Sequence, residues 1–182
     1  MSLSHPFPVQ SASGTATPDV FYRLLDDLFS EGVARSTDFE VVQNGAGTNL
    51  SVNVQPGDGY VDVGSATYGG TRRVRSTAVE NSGAPGAPGP AFIQTFPTPH
   101  ATLPRIDRVT VLVQDADLDD RAQRRWRFNV QGGSAASGAT LVNLTGAATV
   151  HDNAMLIANV LIGAADTTIV TADIDTATPS VR

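Results

Sequence analysis

The chain has no cysteine, no lysine, one tryptophan and only three glutamates, Glu31, Glu40 and Glu80. Without cysteine there are no disulfides, no thiol nucleophile and no Cys-based zinc site. The redox compartment stays open, because a Cys-free protein tolerates oxidising and reducing media alike. All 12 basic residues are arginine against 18 acidic residues, a net charge of −6. High-GC coding is one explanation for that bias. An acidic chain carries no electrostatic footprint for nucleic acid, so none is expected as a partner. Long hydrophobic runs are also missing. The longest, residues 154–164, is interrupted by Asn159 and is too short to cross a bilayer, so membrane insertion is not expected. The start, Met1-Ser-Leu-Ser-His-Pro-Phe-Pro8, lacks a basic region followed by an apolar one and does not read as a signal peptide. Synthesis and folding in a cytoplasm is the expectation.

What is present suits a globular chain. The 182 residues are 41% hydrophobic, enough for a real core in one domain, or in one domain with an appendage. Residues 1–16 are small and polar and read as an extended N-terminal arm. Thr17-Pro18 then offers an N-cap and a proline at the first helical position. Phe21, Leu24, Leu25 and Leu28 follow at helical spacing, and Gly32 is a natural stop, so the spacing predicts an amphipathic helix over 18–31.

Beyond it the period changes to two. Phe39 and Val41, then Leu50, Val52 and Val54, alternate with polar residues around the turn-like Asn44-Gly-Ala-Gly47. Pro56-Gly-Asp-Gly59 reads as a second turn and Tyr60–Val63 as a strand, with an edge strand around Val74. Residues 82–100 read as a Pro/Gly surface loop. Gly83, Gly86 and Gly89 keep a spacing of three, but too briefly for a triple helix.

Leu103–Gln114 contains the clearest strand. Val109, Val111 and Val113 point one way; Arg108, Thr110, Leu112 and Gln114 point the other. Its expected hairpin partner, 124–130, sets Trp126, Phe128 and Val130 against those valines. Residues 131–150 read as irregular, Met155–Ile162 as a buried strand and Thr168–Val170 as a last short strand, followed by a polar surface end. The expected fold is mainly β: a small antiparallel sandwich or barrel-like domain over 17–182, with one N-terminal helix.

Candidate chemistry is sparse. Asp115, Asp117, Asp119 and Asp120 begin like a calcium loop, but position six is Asp120 and position twelve is Trp126, where glycine and glutamate are needed. A solvated hairpin turn is the preferred reading, with weak calcium binding left open. His5, His100 and His151 have no metal-ligand spacing. No Gly-x-Ser-x-Gly elbow, paired catalytic carboxylates or phosphate loop is found, so neither enzyme activity nor a cofactor is expected. Arg72, Arg73 and Arg75, with Arg121, Arg124, Arg125 and Arg127, are read as solvated strand faces, an acidic partner or charged glycan being the alternative. Trp126 is placed in the core by its phase with Phe128, stacking on a sugar being the alternative.

The order of motifs resembles a known family. The segments are Phe39-Glu-Val-Val42, Leu50-Ser-Val-Asn-Val-Gln-Pro-Gly-Asp-Gly-Tyr-Val-Asp-Val-Gly64, Pro104-Arg-Ile-Asp-Arg-Val-Thr-Val-Leu-Val113, Asn153-Ala-Met-Leu-Ile-Ala-Asn-Val-Leu-Ile-Gly-Ala164 and Thr167-Thr-Ile-Val-Thr-Ala-Asp-Ile174. Over about residues 20–175 this is similar to the N-terminal modules of upper baseplate and minor tail proteins of tailed bacteriophages. The resemblance implies a virion structural protein at the tail tip or baseplate, made in the host bacterial cytoplasm. It further implies a homo-oligomer, trimer or hexamer-related, that joins other tail proteins and supports fibres or receptor-binding proteins. It marks Arg105, Asp107 and Arg108 as a structural signature.

Three features depart from the family pattern: the long 82–100 loop, the proline-poor Gly132–Gly138, and a chain that stops at Arg182 where relatives continue into a fibre. The last favours an adaptor over direct host recognition. A carbohydrate-binding β-sandwich that contacts host surface glycans is the competing reading.

Overall fold

The computed structural model describes residues 31–45, 50–64, 70–76, 92–114 and 125–176. The predicted arm, all of the predicted helix except Glu31, the acidic turn 115–120 and the Gly83–Gly89 spacing lie outside them.

The described residues are mainly β, with ten strands in three antiparallel sheets. The strands are β1 (Gly32–Val33), β2 (Val41–Gln43), β3 (Ser51–Val54), β4 (Gly57–Val63), β5 (Gly70–Ser76), β6 (Phe92–Thr95), β7 (Arg105–Gln114), β8 (Arg125–Gln131), β9 (Ala154–Ile162) and β10 (Ile174–Asp175). One sheet runs β1-β4-β5, a second β2-β3-β6, and the largest β10-β9-β7-β8. β4 packs across β7 and β9, while β6 passes beside β8 and β2 beside β10, giving a sandwich-like domain.

Among the described residues, one apolar cluster lies between the sheets. Val33, Val61, Val63 and Val74 enter from the first sheet; Val41, Val52 and Val54 from the second; Val109, Val111, Val113, Phe128, Met155 and Val160 from the third. Valine dominates because β-branched side chains pack well on a pleated surface. Each such side chain, fully buried, contributes roughly 1.5–3 kcal/mol.

Several expectations need correction. Gly32, read as a helix stop, opens β1 opposite Tyr60. Phe39 is not a strand residue but sits in the left-handed region, φ 56°, ahead of β2. Gly57-Asp58-Gly59, read as a turn, is the first part of β4. Both glycines are demanded by packing instead. A Cβ on Gly57 would overlap the Phe39 backbone, and one on Gly59 would lie 3.0 Å from the Phe39 ring and 3.1 Å from the Gly32 carbonyl oxygen. The 82–100 loop is interrupted by β6, which pairs with β3. Thr168–Val170 forms no strand; a 3-10 helix at Thr171–Asp173 intervenes and the last strand is β10, although Ile169 is buried.

The second face of β7 is not solvated. Ile106, Thr110, Leu112 and Gln114 are all buried. Some of the cover comes from the irregular segment 132–150, which lays Gly133 against the Ile106 carbonyl and Ala148 within reach of Arg108. The β7–β9 ladder slips one residue between Val109 and Thr110, a β-bulge that leaves Ile157 out of register and buried in the core.

Candidate functional site

The start of β7 carries the densest polar network among the described residues. Arg105 and Asp107 are two positions apart on one strand, so their side chains share a face. Arg105 Nε donates to Asp107 Oδ1 at 2.9 Å and to Oδ2 at 3.0 Å. Its Nη1 donates to the Thr98 carbonyl at 2.7 Å and its Nη2 to the Pro97 carbonyl at 2.6 Å. One guanidinium therefore holds the chain that leaves β6 against the chain that begins β7.

Asp107 is 0% exposed and accepts a further bond from the Gly133 amide, 2.8 Å from Oδ1. Gly133 is required there, since a Cβ would overlap the Ile106 and Gly146 carbonyl oxygens. Ser134 donates to the Gly146 carbonyl at 2.7 Å and Ala136 to the Pro104 carbonyl at 2.9 Å, closing the crossing segment over the strand. Gly146, at φ 75°, occupies a backbone conformation that glycine adopts without strain.

Arg108 points to the opposite face. Its Nε donates to Asn159 Oδ1 at 3.2 Å and its Nη1 to the Ala148 carbonyl at 2.6 Å. Asn159 interrupts the apolar run of β9 because it accepts this bond. The signature thus gathers residues 97–98, 133–136 and 148 around one strand. A buried charge is tolerated only when paired and hydrogen-bonded, and this network supplies both. Chemically it positions backbone; its functional groups are turned on one another and on main-chain carbonyls.

The expected hairpin core is held in register: Val109 stands opposite Val130, Val111 opposite Phe128 and Val113 opposite Trp126. Trp126 is half-buried and Phe128 buried. Their rings lie 5.4 Å apart, with Phe39 at 6.2 Å from Trp126 and 5.6 Å from Phe128, tilted or edge-on as ring quadrupoles favour. The Trp126 ring packs on this cluster, which leaves little of it as a free stacking platform.

The arginines of β5 do not share one face. Arg72 is buried, a correction to the solvated reading, while Arg73 and Arg75 are exposed. Arg73 Nε donates to Asp58 Oδ1 at 2.9 Å and its Nη2 donates to Oδ2. This hydrogen-bonded guanidinium, with a further field from Arg75, holds the Asp58 carboxyl below the usual carboxylate range. The His100 Nδ1 accepts backbone bonds from Thr102 and Leu103 at 3.2 and 3.1 Å, so this ring nitrogen caps a turn. Among the described residues no three His, Asp or Glu side chains converge on a possible metal position.

Two concavities were not legible in the sequence. Leu50, Thr98, Pro99, Ala101, Ala165, Asp166 and Thr167 line an open groove of about 540 Å³. A smaller cavity of about 310 Å³ lies against Arg35, Asp38 and Arg75. Comparison with protein-family models, curated proteins and solved structures finds no match.

Proposed function

We propose that the chain is a structural component of a tailed-phage virion, at the tail tip or baseplate, where it acts as an oligomeric adaptor for fibres or receptor-binding proteins. The observation that carries this reading is the Arg105–Asp107–Arg108 network. The residues that bear the family resemblance are hydrogen-bonded into the framework, as a fold signature would be. A geometric role follows: a rigid β-core that presents loops and edges to neighbours. Symmetric self-association is the economical way for such a module to bury those surfaces.

Size-exclusion chromatography with light scattering tests the oligomeric part. A trimer or a hexamer-related species is expected; a monomer at all concentrations would contradict it. The competing sugar-binding reading drew on an aromatic platform, and Trp126 gives it little support because its ring packs on Phe39 and Phe128.

A further inference from the structure

We propose that Asn44 is a site of spontaneous covalent modification, at which the Asn44-Gly45 pair closes to a succinimide and reopens as aspartate and isoaspartate. The site stands independently of any tail location.

The chemistry is intramolecular. The Gly45 backbone nitrogen gives up its proton to solvent base and attacks the Asn44 side-chain carbonyl carbon, Cγ. A bond forms between that nitrogen and Cγ, and the bond from Cγ to Nδ2 breaks. Nδ2 takes up a proton from water and leaves as ammonia. Water then opens the ring at either carbonyl, which gives an aspartyl or an isoaspartyl residue. The sum is asparagine plus water to carboxylic acid plus ammonia, and no oxidant, cofactor or enzyme enters.

Among the asparagines of the chain, only Asn44 precedes a glycine. That neighbour matters because any other residue brings a Cβ that hinders the approach of its own nitrogen. The structure leaves the pair free to react. β2 ends at Gln43 and β3 begins at Ser51, so neither Asn44 nor Gly45 is held in the ladder. Gly45 is exposed, a Cβ there would meet nothing within 4 Å, and its N–H makes no hydrogen bond among the described residues. Its φ lies outside the left-handed region, so the pair does not close the type I′ turn that would clamp it. Asn44 Nδ2 donates to Ser51 Oγ at 2.8 Å, which holds the nitrogen that leaves and not the carbon that is attacked.

Two other positions show what restrains this reaction. Asp58-Gly59 has the same local option, but it lies inside β4, where Gly59 stands opposite Val33 on one side and Val74 on the other. Arg73 also holds the Asp58 carboxylate, and an ionised carboxylate resists the attack. Asn143 donates through Nδ2 to the Gly138 carbonyl, accepts through Oδ1 from the Thr145 hydroxyl, and precedes Leu144.

Conversion adds a negative charge and removes the donor that Ser51 faces. Isoaspartate also lengthens the backbone beside Gln43, whose side-chain oxygen accepts from the Thr171 amide and hydroxyl at 3.2 Å each. The product is an acidic form of the protein with a weakened tie between β2 and the 3-10 helix.

The test is a time course of the full chain in mildly alkaline buffer, with digestion by pepsin in acid and mapping by tandem mass spectrometry. Asn44 should gain about one dalton faster than Asn143, Asn153 or Asn159, with isoaspartate the larger product. Gly45→Ala should slow the conversion about fivefold or more, with the circular dichroism spectrum unchanged. The proposal is overturned by no conversion at Asn44, by Asn143 or Asp58 converting as fast, by aspartate without isoaspartate, by a rate that Gly45→Ala leaves intact, or by conversion only in urea.

Discussion

Arg105 Nε lies 2.9 and 3.0 Å from the two carboxylate oxygens of Asp107, inside a domain where Asp107 has no solvent exposure. The carboxylate also holds the Gly133 amide, so its loss strands a buried guanidinium and frees a loop at once. Asp107→Ala should therefore destabilise the fold by about 3–5 kcal/mol, read from urea unfolding followed by tryptophan fluorescence. A loss under about 1 kcal/mol would mean that the pair is solvated in solution, as exposed pairs are.

Gly133 tests the same clasp from the loop side. Gly133→Ala places a Cβ into the Ile106 and Gly146 carbonyl oxygens, and both are backbone atoms that cannot swing away. About 1–3 kcal/mol of destabilisation is expected. Gly45→Ala, where a Cβ meets nothing within 4 Å, is the control and should leave the urea midpoint almost unmoved.

The aromatic cluster is expected to dominate the core. Phe128→Ala should cost about 3–5 kcal/mol and shift the Trp126 emission to the red, because the neighbouring ring that shields it is gone. Val142→Ala, at a residue 98% exposed, should stay within about 0.5 kcal/mol of the parent.

Asp58 gives a pH dependence with a definite sign. Arg73 lowers its folded-state pKa, so its contribution is fully present above the ordinary carboxylate range and is lost as pH falls through the lowered value. Asp58→Asn should thus be slightly less stable than the parent at neutral pH, and the difference should vanish in acid. Urea midpoints of both proteins across that range check it. A difference that grows on acidification would contradict the assignment.

The sequence was most readable where pattern and burial agree. Val109, Val111 and Val113 alternate in sequence, and the ladder sets them against Val130, Phe128 and Trp126. It misled where a residue type had a second use. Gly57 and Gly59 look like turn residues, but the close approach of Phe39 is what requires them. β6 was hidden because its alternation is inverted, with Ile93 exposed and Gln94 buried. The polar partners of the signature were illegible, since the acceptors for Arg105 are main-chain carbonyls and carry no sequence mark. The cavity joins residues around 35, 57 and 75, which no local motif links.

Negative-stain microscopy of virions labelled with an antibody against this chain tests most directly whether the protein works at the tail tip. Label confined to the tail tip is the expected result. Label on the capsid, or none on intact virions, would contradict it.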